Sequence, residues 1–134
     1  MRNILWFLLV AALALPAILI ADQPKGTYVT TITEAEAPSE MREQVAGMWE
    51  VTFLEKNQFT VACKGETVVK GEWSINQGQV TFSDKEGRLS CPEGEKVGTY
   101  KWALNGKTLT FTKVKDVCKG RQLVLLTHPL SKKE

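Results

Sequence analysis

The stretch Gly98-Thr99-Tyr100-Lys101-Trp102-Ala103-Leu104-Asn105-Gly106-Lys107-Thr108-Leu109-Thr110-Phe111-Thr112 decides the fold. Tyr100, Trp102 and Leu104 alternate with Lys101 and Ala103, and Leu109 and Phe111 alternate with Thr108, Thr110 and Thr112. Successive side chains of a strand point to opposite faces, so each run has one dry face and one wet face. Asn105-Gly106 between them is a strong hairpin signal, because both residues accept the left-handed backbone of a tight two-residue turn.

The same two-residue period extends outward from this hairpin. Trp49, Val51 and Phe53 alternate with Glu50 and Thr52, and Phe59 and Val61 follow. Val69, Gly71, Trp73 and Ile75 share one face, with Val68, Lys70, Glu72 and Ser74 on the other; then come Val80 and Phe82. The last apolar run is Leu123 to Leu126, read as the closing strand. Lys56-Asn57, Lys64-Gly65, Asn76-Gln77-Gly78 and Asp84-Lys85-Glu86-Gly87 punctuate the runs with turn chemistry. These connections are too short for crossover helices, so neighbouring strands pair antiparallel. Closure removes the two edges an open meander would expose, which predicts an all-β, antiparallel up-and-down β-barrel of about eight strands. A short helix precedes it over residues 39–46, with Ser39 as its cap, Met41 and Val45 on one face and Gly47 as its stop. Thr27 to Thr33 offers one further, weakly alternating strand.

The 134 residues suffice for one domain, and the formal charge of +2 is small, with basic residues interspersed among acidic ones. That pattern lacks the basic stripe of a nucleic-acid surface. Met1-Arg2-Asn3 leads into an uncharged run from Ile4 to Ala21, broken by Pro16 and followed by Asp22-Gln23-Pro24-Lys25. This reads as an export signal cleaved after Ala21. Its length also approaches the 20 or so residues of a bilayer-spanning anchor, so membrane contact is expected only through this segment, if it stays uncleaved. The expected organisation is a signal peptide at 1–21, a leader with the short helix at 22–46, the barrel at 47–130 and a polar tail at 131–134, in a secreted or periplasmic protein.

Three cysteines in an exported chain imply one disulfide and one leftover thiol. Cys91 and Cys118 both lie in turn-rich stretches, which can meet, and form the favoured pair. Cys63 ends an alternating strand and reads as a small inward-facing hydrophobe. With no CxxC spacing and no paired histidines, no metal site is expected, and no cofactor.

Gly47-Met48-Trp49, opening the first strong strand after a short helix, resembles the G-x-W signature of the lipocalin and wider calycin group. Together with Gly98-Thr99-Tyr100-Lys101-Trp102, Leu109-Thr110-Phe111 and Asp116-Val117-Cys118 with Arg121, the chain is similar to small exported bacterial lipocalin-like domains over most of residues 47–127. The resemblance implies that Trp49 plugs one end of the barrel and that Arg121, opening the last strand, lies over its ring.

The predicted inward set is Trp49, Val51, Phe53, Phe59, Val61, Trp73, Val80, Phe82, Tyr100, Trp102, Leu109 and Phe111. Of these, Phe53, Phe59, Trp73, Phe82, Tyr100, Trp102 and Phe111 are the candidate lining of a calyx for a small apolar or amphipathic ligand. An eight-stranded barrel is about wide enough for one small ligand or for its own side chains, so a filled core is the competing reading. Another is a protease-inhibitor barrel acting through an N-terminal arm, Asp22 to Pro38, since secreted bacterial metalloprotease inhibitors resemble such barrels. No enzyme is expected. The single histidine, His128, sits beside Pro129 without a nucleophile partner, and Asp84, Glu86 and Asp116 read as solvated turn carboxylates.

Overall fold

The computed structural model describes residues 23–134, so the export signal expected at 1–21 lies outside the described residues. Eight antiparallel strands follow one another around a closed barrel, β1-β2-β3-β4-β5-β6-β7-β8, with β8 returning to β1. They are β1 (Gly26–Ile32), β2 (Gly47–Leu54), β3 (Gln58–Cys63), β4 (Glu66–Asn76), β5 (Gln79–Glu86), β6 (Val97–Asn105), β7 (Thr108–Lys115) and β8 (Leu130–Lys132). This is an up-and-down barrel, consistent with a lipocalin-like fold. Among the described residues no helix is long and apolar enough to cross a membrane.

Local sequence explains the connections. Lys56, Asn57, Lys64 and Gln77 take positive φ, as do Gly65, Gly78 and Gly106, which gives the tight turns the right-handed twist of the flanking strands. The β2–β3, β4–β5 and β6–β7 turns define one end of the barrel, the hairpin end. At the other, the cap end, a 3-10 turn (Ser39–Met41) and helix α1 (Arg42–Val45) lead into β2. Val45 is buried there, but Ser39 makes no capping bond; its hydroxyl donates to Glu40.

Three expectations are corrected. Leu123 to Leu126 is not a strand: it ends helix α2 (Lys119–Leu126), which buries Val124 and Leu125. A short run apolar on both faces fits either element, and periodicity does not separate them. The closing strand is instead β8, drawn partly from the residues assigned to a polar tail. Third, the barrel does not open at Gly47. β1 pairs with β2 from Gly26↔Phe53 to Ile32↔Gly47, so the leader supplies a stave. That also removes the arm expected at Asp22 to Pro38, since Gly26–Ile32 is held by strands on both sides.

The seam is unusual. β8 reaches only Tyr28 and Val29 of β1 and Thr108 and Leu109 of β7, all toward the hairpin end. Toward the cap end α2 packs against β7, β1 and α1 and stands in the gap as a helical stave. Lys113 Nζ on β7 donates to Gln122 Oε1 across that contact, at 3.1 Å. A helix with its side chains is about 10 Å wide, enough to bridge strands that no longer pair.

A bulge opposite Val61 and Ala62 leaves Val68 as the extra residue of β4. Val68 and Val69 are therefore both buried, although the alternation places them on opposite faces. Gly71 permits the close approach of β5 and Phe59. A Cβ there would lie 2.2 Å from Ser83 O and 2.7 Å from the Phe59 ring.

Candidate functional site

The inward set is where the alternation predicts it, with Val61 and Trp102 only partly buried. From the hairpin end to the waist the barrel is filled. The Phe53 ring meets Tyr28, Trp73 and Phe82 at centroid distances of 5.9, 5.6 and 6.2 Å. Phe82 in turn meets Phe59, Tyr100 and Phe111 at 5.3, 6.2 and 5.9 Å, mostly edge to face, the arrangement aromatic quadrupoles favour. Trp73 anchors this half by donating its indole N–H to Gln58 O at 3.0 Å.

The cap-end half is hollow. A cavity of about 420 Å³ has Val51, Phe59, Val61, Val69 and Phe82 as its apolar floor and walls. Trp49 and Cys91–Cys118 also line it, and its mouth lies between Met41 and Gln44, Leu89 to Pro92, and the start of α2. Of the seven residues expected to line a calyx, Phe59 and Phe82 do so; Phe53, Trp73, Tyr100, Trp102 and Phe111 do not. The aromatic side chains thus fill one half of the barrel and leave a cavity in the other.

Trp49 is buried and donates its indole N–H to Val45 O at 2.8 Å, tying β2 to α1. Arg121 does not lie over its ring; among the described residues the cation–ring contact is Lys132 over Tyr28, 5.5 Å from the centroid. Arg121 sits in the first turn of α2 and is ion-paired twice, Nη1 to Asp116 Oδ1 at 2.8 Å and Nη2 to Asp84 Oδ1 at 3.1 Å. It also donates to Lys96 O at 2.7 Å and Glu95 O at 3.4 Å. Buried carboxylates attract a guanidinium more strongly than an indole face does, which is why the expected stack is absent.

Asp84 and Asp116 are therefore not solvated turn residues. Their side chains are 4% and 0% exposed, and that of Arg121 is 8% exposed. Asp116 accepts from the Cys118 backbone N–H at 2.9 Å and from the Tyr100 hydroxyl. Asp84 accepts from the Cys91 N–H at 2.8 Å, so each carboxylate holds one cysteine of the disulfide. Burial, and the hydrogen bond to Asp116, push the Tyr100 hydroxyl well above the ordinary tyrosine range. Sequence did carry a signal for Asp84, which continues the inward phase of Val80 and Phe82. Among the described residues Trp102 Nε1 is buried without a hydrogen-bond partner.

The Cys91–Cys118 bridge forms as expected, with Cα atoms 6.1 Å apart, and Cys63 is a buried free thiol whose pKa burial raises. The bridge fastens the 87–96 loop to the N-cap of α2 and suits an oxidising compartment. His128 pairs with Glu36 at the surface. Among the described residues no group of acidic, histidine or cysteine side chains is arranged to hold a metal. Compared with protein-family models, curated proteins and solved structures, the chain matches none.

Proposed function

We propose that this chain is an exported binding protein of the calycin kind, related to small bacterial lipocalin-like domains, that holds one small apolar or amphipathic molecule. The observation that carries the reading is the cavity of about 420 Å³ over a floor of valine and phenylalanine, within the range of small-molecule sites. G-x-W at the start of β2 supports the calycin affiliation. The disulfide and the uncharged run Ile4 to Ala21 support export to a secreted or periplasmic location. The reading is one of binding, not catalysis, without nucleic acid or cofactor.

The test is titration with N-phenyl-1-naphthylamine, a neutral apolar fluorophore. Wild-type protein should bind one equivalent saturably, and Val61→Trp, which fills the cavity from its wall, should abolish the signal without unfolding the barrel. Absence of saturable binding, or equal binding by the filled variant, would refute the reading. Mass spectrometry of small molecules carried through native purification from the exporting host would then name the passenger.

A further inference from the structure

Resting on the binding reading above, we infer that the cavity selects amphiphiles with a cationic amine head over those with an anionic head. Its polar wall is made by Asp84 and Arg121, both of which line the cavity. The Arg121 terminal nitrogens already face four protein oxygens: Asp116 Oδ1, Asp84 Oδ1, Glu95 O and Lys96 O. The guanidinium is thus committed and has little left to offer a ligand carboxylate or phosphate.

The two carboxylates differ. Asp116 is met by Arg121, the Cys118 N–H and the Tyr100 hydroxyl, and its side chain is fully buried. Among the described residues Asp84 receives only the Cys91 N–H and the ion pair to Arg121. A carboxylate offers about four lone-pair sites, so Asp84 keeps acceptor capacity toward the cavity it lines. Two carboxylates against one guanidinium also leave the buried cluster with one formal negative charge. A ligand head reaching this wall meets an acceptor and excess negative charge, while its tail meets the apolar floor.

Charges of both signs stand at the mouth, namely Arg88, Glu95 and Lys119. Arg88 is exposed and already paired with Glu66 at 3.3 Å, and Lys119 is exposed to solvent. Solvent and salt screen these groups, whereas the buried cluster is screened far less. The buried carboxylate therefore sets the preference.

The experiment is calorimetric titration of the full protein at neutral pH with n-dodecylammonium, dodecanol and dodecanoate, each below its aggregation threshold and at low and molar salt. The ammonium should bind about tenfold or more tighter than dodecanoate, with dodecanol between, and the order should persist in salt. Asp84→Asn should weaken the ammonium by a similar factor and so narrow its advantage over dodecanol and dodecanoate; an ammonium advantage unmoved by the substitution would overturn the assignment to Asp84. Dodecanoate binding as tightly as the ammonium would overturn the inference while leaving the cavity a binding site. An order that vanishes in molar salt would overturn the assignment to Asp84. Failure of all three to bind would overturn the binding reading and this inference together.

Discussion

Arg121 and Asp116 form a buried ion pair, Nη1 to Oδ1 at 2.8 Å, that joins the first turn of α2 to the end of β7. Because Asp84 on β5 shares the same guanidinium, one side chain fastens the helical stave to the opposite lip of the cavity. Removing one partner of such a cluster leaves uncompensated charge in a dry site, which is why its loss costs more than an exposed pair would.

Arg121→Met keeps the apolar stem of the side chain and removes the guanidinium with its charge. It is expected to destabilise the fold by about 3–5 kcal/mol, because Asp84 and Asp116 then face each other unpaired. Urea denaturation measures this directly. A loss below about 1 kcal/mol, the usual worth of an exposed pair, would mean that the cluster is not a structural centre.

Two glycines near this cluster should respond oppositely to alanine. At Gly98 a Cβ would lie 2.6 Å from Asp116 Cγ and 2.7 Å from Arg121 Nη1, so Gly98→Ala should cost about 1–3 kcal/mol through forced displacement of the pair. At Gly120 a Cβ meets nothing within 4 Å and the residue is helical, so Gly120→Ala should gain up to about 1 kcal/mol. Thermal melts of the two variants side by side check the contrast.

Both tyrosines of the chain have raised pKa values, Tyr28 through desolvation and Tyr100 through desolvation and its bond to Asp116. In the unfolded chain they ionise near pH 10. A raised folded-state value means that the native protein holds these protons longer than the unfolded chain does. The stability this contributes is complete below about pH 10 and is lost as pH rises beyond it. Spectrophotometric titration should therefore show tyrosinate absorbance rising together with the loss of near-ultraviolet circular dichroism. Ionisation near pH 10 in protein that remains folded would contradict the buried placement of Tyr100.

The seam should be the weakest part of the wall. β8 is three residues long, and Leu130 is its fully buried member, opposite Leu109. Leu130→Ala should cost about 2–5 kcal/mol, as for other buried leucines. Truncation after Thr127 also removes the Lys133 N–H to Thr27 O bond of 2.8 Å, and should abolish cooperative unfolding as β1 and β7 lose their link. Hydrogen exchange of β1 amides locates the opening; protection unchanged by truncation would show that α2 alone closes the barrel.

A thiol count tests the cysteine arrangement. Native, unreduced protein should resist iodoacetamide, because Cys63 is buried and its thiol is held above its ordinary pKa. Denaturation without reductant should expose one thiol, and reduction should release Cys91 and Cys118. Alkylation of Cys63 in folded protein would place it outside the core.

The sequence by itself determined the staves from β2 to β7. Alternation from Trp49 to Phe111, the turns at Lys56-Asn57, Lys64-Gly65, Gln77-Gly78 and Asn105-Gly106, and the pairing of Cys91 with Cys118 rest on local geometry or on turns that meet. Only the tertiary structure decided that Leu123 to Leu126 is helical, that β1 and β8 complete the wall, and that Arg121 meets Asp84 and Asp116 and not the Trp49 ring. It alone decided that the aromatic side chains fill one half of the barrel and leave the other open. Periodicity says which face of a strand is dry, but which buried groups meet depends on how distant strands close, and a charge finds its partner only across that closure.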